Sequence, residues 1–154
     1  MKYEIHPGPR LNYQQVAPEG IKALTGLSAY VAQNVEVKLR HLIELRVSQI
    51  NGCAYCCDLH SQQLRSAGET QQRLDVLPVW QETTFFTEAE RAALTWAEQV
   101  TRLGEEPVSD ELYAEMRRHF SEKEIVDQTL VITVMNSWNR ISISFRNRPT
   151  ERKG

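Results

Sequence analysis

Apolar residues recur at three- and four-residue intervals along most of the chain, the period of helices packed by one face. Val35, Leu39, Leu42, Ile43, Val47 and Ile50 form one such stripe and predict a helix over 35–50, with Asn34 as its cap. At 100° per residue, Val37, His41, Glu44 and Ser48 gather on another face of that helix. Pro18, at a first turn, opens an earlier helix over 19–32. Asn51-Gly52 is a strong turn signal, after which a third helix is predicted from Cys53 to Ala67, with Gly68 at its left-handed end.

Residues 69–77 suit a short helix, and 78–86 read as a loop with an aromatic end. Thr87-Glu88-Ala89-Glu90 is a capping box that opens a helix running to Leu103, before Gly104. Ser109 caps a helix over 110–119. A second capping box, Ser121 to Glu124, opens a long last helix ending near Phe145. That helix is apolar nearly all round, as suits a core or a subunit interface. Asn136, Asn139 and Arg140 lie on it and need partners within the chain or across an interface. No strand pairs and no repeats are evident. The expectation is an all-α, compact orthogonal bundle of six to seven helices. Residues 1–17 read as an extended N-terminal arm, 18–148 as a single domain and 149–154 as a flexible tail.

Composition changes this picture little. Hydrophobic residues make up 41% and charged residues 25% of 154 residues, the balance of an ordinary globular domain. A net charge of −2 gives no footprint for nucleic acid or an anionic membrane. No apolar run approaches the roughly 20 residues of a membrane span, and the N-terminus lacks a signal-peptide core. A cytoplasmic location is the expectation.

The cysteines change it more. All three, Cys53, Cys56 and Cys57, fall within five positions, and His60 follows Cys56 by four. So tight a group cannot staple distant segments, and in a reducing compartment it points to redox, catalytic or metal chemistry. On a helix these three thiols and the imidazole share one stripe with Leu64 and Ala67. Cys53 and Cys56, one turn apart, have the spacing of a reversible disulfide, and Cys56 neighbours His60. A helix start favours the thiolate, and a nearby imidazole can take its proton.

By spacing alone Glu44 is a solvated carboxylate. If the Asn-Gly turn folds the helices together, however, it reaches His60 and completes a proton relay. His41 is a lesser relay candidate, Cys57 reads as packing, and His6 and His119 as incidental. Zinc is the competing chemistry: Cys53, Cys56 and His60 supply three ligands, with Cys57, His41 or Glu44 as the fourth. No second ligand pair occurs, so no metal is expected.

The segment from Leu45 to Cys56 resembles the alkyl hydroperoxidase D-like (AhpD-like) family, within the carboxymuconolactone decarboxylase group. That family's motif, a glutamate followed by C-x-x-C-x-x-x-H, is matched by Glu44, Cys53, Cys56 and His60, and Asn136 to Arg140 is a second point of likeness. The resemblance implies an all-helical fold assembling as a homotrimer or homohexamer. It also implies a cofactor-free peroxidase that takes a hydroperoxide substrate and a thiol or dithiol reductant. By the same likeness Cys56 is the nucleophile, Cys53 the resolving thiol, and His60 with Glu44 the proton relay. The decarboxylases of the group lack the cysteine pair, so lactone decarboxylation is not expected. Tyr55 stands where the family's hydroperoxidases carry a second histidine. A redox sensor that uses the same disulfide as a switch is the alternative function, and a structural zinc protein the less favoured one.

Overall fold

The computed structural model describes residues 8–153; His6, the rest of residues 1–7 and Gly154 lie outside them. Eight α-helices follow in order: α1 (Tyr13–Val16), α2 (Pro18–Asn34), α3 (Val37–Asn51), α4 (Ala54–Ser66), α5 (Gln71–Val76), α6 (Glu88–Thr101), α7 (Asp110–His119) and α8 (Glu122–Ser144). A 3₁₀ segment, Leu77–Glu82, follows α5. There is no strand among the described residues. The all-α expectation holds, with one helix more than the upper count: α1 is a single turn inside the segment read as extended. Asn12 nucleates that turn by accepting hydrogen bonds from the N–H groups of Gln14 and Gln15. None of the described helices is long and apolar enough to cross a membrane.

Both capping boxes form as the sequence specifies, at Thr87–Glu90 and at Ser121–Glu124. The start of α3 does not. Val35 is extended, and the cap is Glu36, whose carboxylate accepts from the Lys38 and Leu39 N–H groups. Asn34 stays inside α2 and donates its amide back to the Tyr30 carbonyl. Helix α6 ends at Thr101, two residues before the expected stop.

Helix α3 is the axis of the bundle, packing against α4, α6 and α8. It divides two apolar clusters. Ile43 and Val47 join the α6–α7–α8 side, which includes Ile132 and Met116. Leu42 and Leu45 join Leu64, Leu77, Trp80 and Leu94 on the other. Every residue from His41 to Ser48 is therefore buried, including the face that carries His41, Glu44 and Ser48. That face is covered because α3 has neighbours on all sides, which a one-stripe pattern does not reveal.

Candidate active site

Gly52 ends α3 in the left-handed region, at φ 71° and ψ 32°. Its N–H reaches the Gln49 carbonyl and the N–H of Cys53 reaches the Ser48 carbonyl at 3.0 Å, which closes the last turn and redirects the chain. Cys53 thus becomes the N-cap of α4, one residue outside the helix it was expected to begin. Its sulfur accepts from the Cys56 N–H.

Cys53 and Cys56 are joined as a disulfide, with Cα atoms 5.3 Å apart. Both are buried, and Cys56 occupies the first turn of α4, where unpaired backbone donors and the helix dipole favour a thiolate. Cys57 parts company with them. It packs against the Leu42–Leu45–Leu64 cluster while Cys53 and Cys56 belong to the other one. Burial pushes the Cys57 thiol above its ordinary range.

Glu44 faces α4 across the turn. Its Oε2 lies 2.7 Å from His41 Nδ1 and 3.1 Å from His60 Nδ1. The second contact is within ion-pair distance but off the line of a directed hydrogen bond, since His60 Nδ1 has no partner that satisfies both distance and angle. Arg40 Nη1 lies 3.5 Å from Glu44 Oε1. Burial alone would raise the Glu44 carboxyl. The hydrogen bond from His41, with the close approach of His60 and the charges of His60 and Arg40, outweighs it and holds the carboxyl down at about 2. His119 lies outside this group and pairs with Glu115 at 2.8 Å.

A cavity of about 320 Å³ opens beside these residues. Cys56, His60, Glu44 and Arg40 form its polar end; Leu59, Val134, Met135 and Trp138 form apolar wall. Tyr13 and Gln14 of the N-terminal segment, Tyr55, Ser28, Gln63 and Ser142 also line it, while Cys53 does not. Tyr13 is fixed against the end of α8 by ring contact with Phe145 at 5.9 Å, and the Arg10 N–H donates to the Phe145 carbonyl. Sequence reasoning had no signal for Tyr13, because its place depends on how the N-terminal segment folds back.

The donor atoms of His41, Glu44 and His60 lie within 4.8 Å of one another, the one such triad among the described residues. The 2.7 Å separation of His41 and Glu44 is a hydrogen bond. Two donors on one zinc stand roughly 3.0–3.4 Å apart by bond lengths near 2.1 Å. With Arg40 already facing Glu44, the His41–Glu44 pair is spaced for hydrogen bonding rather than for sharing a zinc ion.

Fold and site together define an all-helical thiol–disulfide protein with a buried carboxylate between two imidazoles. The chain belongs to the carboxymuconolactone decarboxylase family, whose model matches residues 18–99. It is 44% identical over 140 residues to the uncharacterised protein YdfG of Bacillus subtilis (strain 168), covering 90% of this chain and 95% of that one. Among solved structures it is similar to ATU0492 of Agrobacterium tumefaciens, a protein of unknown function described as a candidate antioxidant defence protein AhpD. The TM-score is 0.90 at 41% identity, over 94% of this chain and all of that one. An uncharacterised peroxidase-related protein from Ralstonia eutropha JMP134, described as an alkylhydroperoxidase AhpD core, shares the fold, with a TM-score of 0.80 at 19% identity, over 95% and 94% of the two chains.

Proposed function

We propose that the protein is a thiol-dependent hydroperoxide reductase working through Cys53 and Cys56. The observation that carries this reading is that Cys56, beside His60 and Glu44, lines the cavity whereas Cys53 lies behind it. In the reduced protein the Cys56 thiol gives its proton to His60, and the sulfur attacks the outer peroxide oxygen. The O–O bond breaks, the departing alkoxide takes the proton from His60 and leaves as an alcohol, and Cys56 becomes a sulfenic acid. The Cys53 sulfur then attacks Cys56. The S–O bond breaks, the oxygen leaves as water with the Cys53 proton, and the disulfide forms. An external thiol or dithiol supplies the two electrons and two protons that restore both thiols.

Glu44, ionised across the neutral range, stabilises the imidazolium that His60 becomes. The cavity supports an organic hydroperoxide over hydrogen peroxide. Its volume of about 320 Å³ is some ten times the roughly 30 Å³ share of a water-sized molecule, and its far wall is apolar.

The test is consumption of cumene hydroperoxide with dithiothreitol as reductant. Turnover in the wild type and its loss in Cys56→Ser are expected; activity retained in Cys56→Ser sinks the assignment. One oxidation per chain without turnover assigns the disulfide to a redox switch instead. Assembly as a homotrimer or homohexamer and residence in the cytoplasm belong to the same proposal. Sedimentation velocity at micromolar concentration tests the assembly, and a monomer removes it.

A further inference from the structure

The site holds a second imidazole that the cycle above does not use. His41 sits one turn before Glu44 on α3 and is 5% exposed. Arg40 Nη2 lies 3.4 Å from His41 Nε2. A guanidinium has only donors, so Nε2 is the acceptor, the ring proton rests on Nδ1, and Nδ1–H donates to Glu44 Oε2 at 2.7 Å. The same carboxylate oxygen faces His60, and the two imidazole centroids stand 5.8 Å apart. Tyr55 fills the position where the resemblance led one to expect a second histidine. Helix α3 supplies one from the other side of the carboxylate.

We propose that His41 is a positioning residue of this site: its hydrogen bond holds the Glu44 carboxylate aimed at His60, so that His60 can hold the proton of Cys56. The meaning of this role rests on the peroxidase reading, but its test does not.

Three partners hold the buried carboxylate, and they are unequal. The His60 contact is off the hydrogen-bond line, and Arg40 reaches Glu44 only at 3.5 Å. His41 makes the short, directed bond, and it leads the influences that draw the carboxyl down against burial. Without it the carboxylate is held only by Arg40 at 3.5 Å and by the off-line His60 contact, so Oε2 is free to turn away and His60 loses its nearby counter-charge. A less stable imidazolium then means a less stable Cys56 thiolate. The ionisable groups that line the cavity with Glu44 are Arg40 from α3, Tyr55, Cys56 and His60 from α4, and Tyr13 from α1, and His41 meets the carboxylate from α3. Helix α8 brings Val134, Met135, Trp138 and Ser142 to the cavity, none of them a charged group.

The experiment alkylates the fully reduced protein with brief pulses of iodoacetamide across pH and reads Cys56 modification by peptide mass spectrometry. Cys57 in the same sample is the internal control. In His41→Leu the rise of Cys56 reactivity shifts upward by about one pH unit. His41→Asn, whose amide donates from near the Nδ1 position, brings the profile back toward wild type. His41→Gln reaches the Nε2 position instead; it keeps the polarity, loses the donor, and replaces His41→Leu if that variant does not fold. An unmoved profile in a folded donor-less variant overturns the proposal, as does a His41→Asn profile shifted as far as that of His41→Leu. Because no peroxide is involved, a wild type without turnover removes the peroxidase reading and leaves this test standing.

Discussion

Asn51 Nδ2 donates to Asn139 Oδ1 at 2.9 Å, tying the last residue of α3 to the middle of α8. The bond is one link of a chain that runs under the site. Asn139 Nδ2 donates to Ser48 Oγ at 3.1 Å, and the Ser48 hydroxyl donates to the Glu44 carbonyl at 2.7 Å. Asn136 Oδ1 accepts from both Asn51 and Arg140. Asn136, Asn139 and Arg140 therefore find partners within the chain, and the two asparagines hold the Asn51-Gly52 turn from which Cys53 emerges. The approach of Glu44 on α3 to His60 on α4 depends on that turn.

Replacing Asn139 by alanine removes one hydrogen bond from each of two groups, the half-buried Asn51 amide, which keeps Asn136, and the buried Ser48 hydroxyl, which keeps the Glu44 carbonyl. Two hydrogen bonds lost at about 0.5–1.5 kcal/mol each put the cost at about 1–3 kcal/mol. The urea midpoint is expected to fall with an unchanged m-value. A midpoint equal to that of the wild type shows that the network contributes nothing to stability.

Gly52→Ala separates conformation from packing. An added Cβ at position 52 meets no atom within 4 Å, so only the left-handed backbone resists it. The expected cost is about 1–2 kcal/mol. Gly68, also left-handed and also open, should behave alike in stability. The two differ in function: Gly52→Ala slows disulfide reduction by dithiothreitol because it shifts the turn that places Cys53, whereas Gly68→Ala leaves that rate alone. Equal reduction rates count against a role for the Gly52 turn in placing the cysteine pair.

Features set by neighbouring residues were legible from the chain. The capping boxes at Thr87 and Ser121, the Asn-Gly turn and the spacing of Cys53, Cys56 and His60 are all local, and each appears in the fold. What depended on tertiary wrapping was not. Glu44 reads as solvated by its place off the apolar stripe, yet α4 and α8 pack over that side of α3. Asn34 has the chemistry of a cap, but Val35 extends the chain and passes the role to Glu36. Cys57 shares the helical stripe of Cys56 on paper. A helix wedged between two clusters sends adjacent residues to different ones.

Cys57 is expected to be dispensable for chemistry. Its thiol is raised by burial and packs among leucines, so little thiolate forms near neutrality. Cys57→Ala should retain the Cys53–Cys56 disulfide and any peroxide turnover, at a stability cost of about 1 kcal/mol for the small void. Mass spectrometry of the oxidised variant checks the first, and the peroxide assay the second. A mixed disulfide through Cys57 in the wild type would assign it a resolving role instead.

Glu44→Gln tests the electrostatics of the site through acid stability. The carboxyl, ordinarily at 4.5, is held at about 2 in the folded chain. A depressed carboxyl stabilises the fold above its unfolded value and loses that contribution as pH falls toward the folded one. The window is therefore about pH 4.5 down to 2, and 2.5 units correspond to at most about 3 kcal/mol. The stability advantage of the wild type over Glu44→Gln should be full at pH 7, smaller at pH 3 and nearly gone at pH 2. Urea unfolding at those three pH values measures it. An advantage that stays constant across the window would show that Glu44 is not held ionised by His41, His60 and Arg40. Other carboxylates contribute equally to both proteins and cancel in the difference, which leaves the site's own charge as the quantity read.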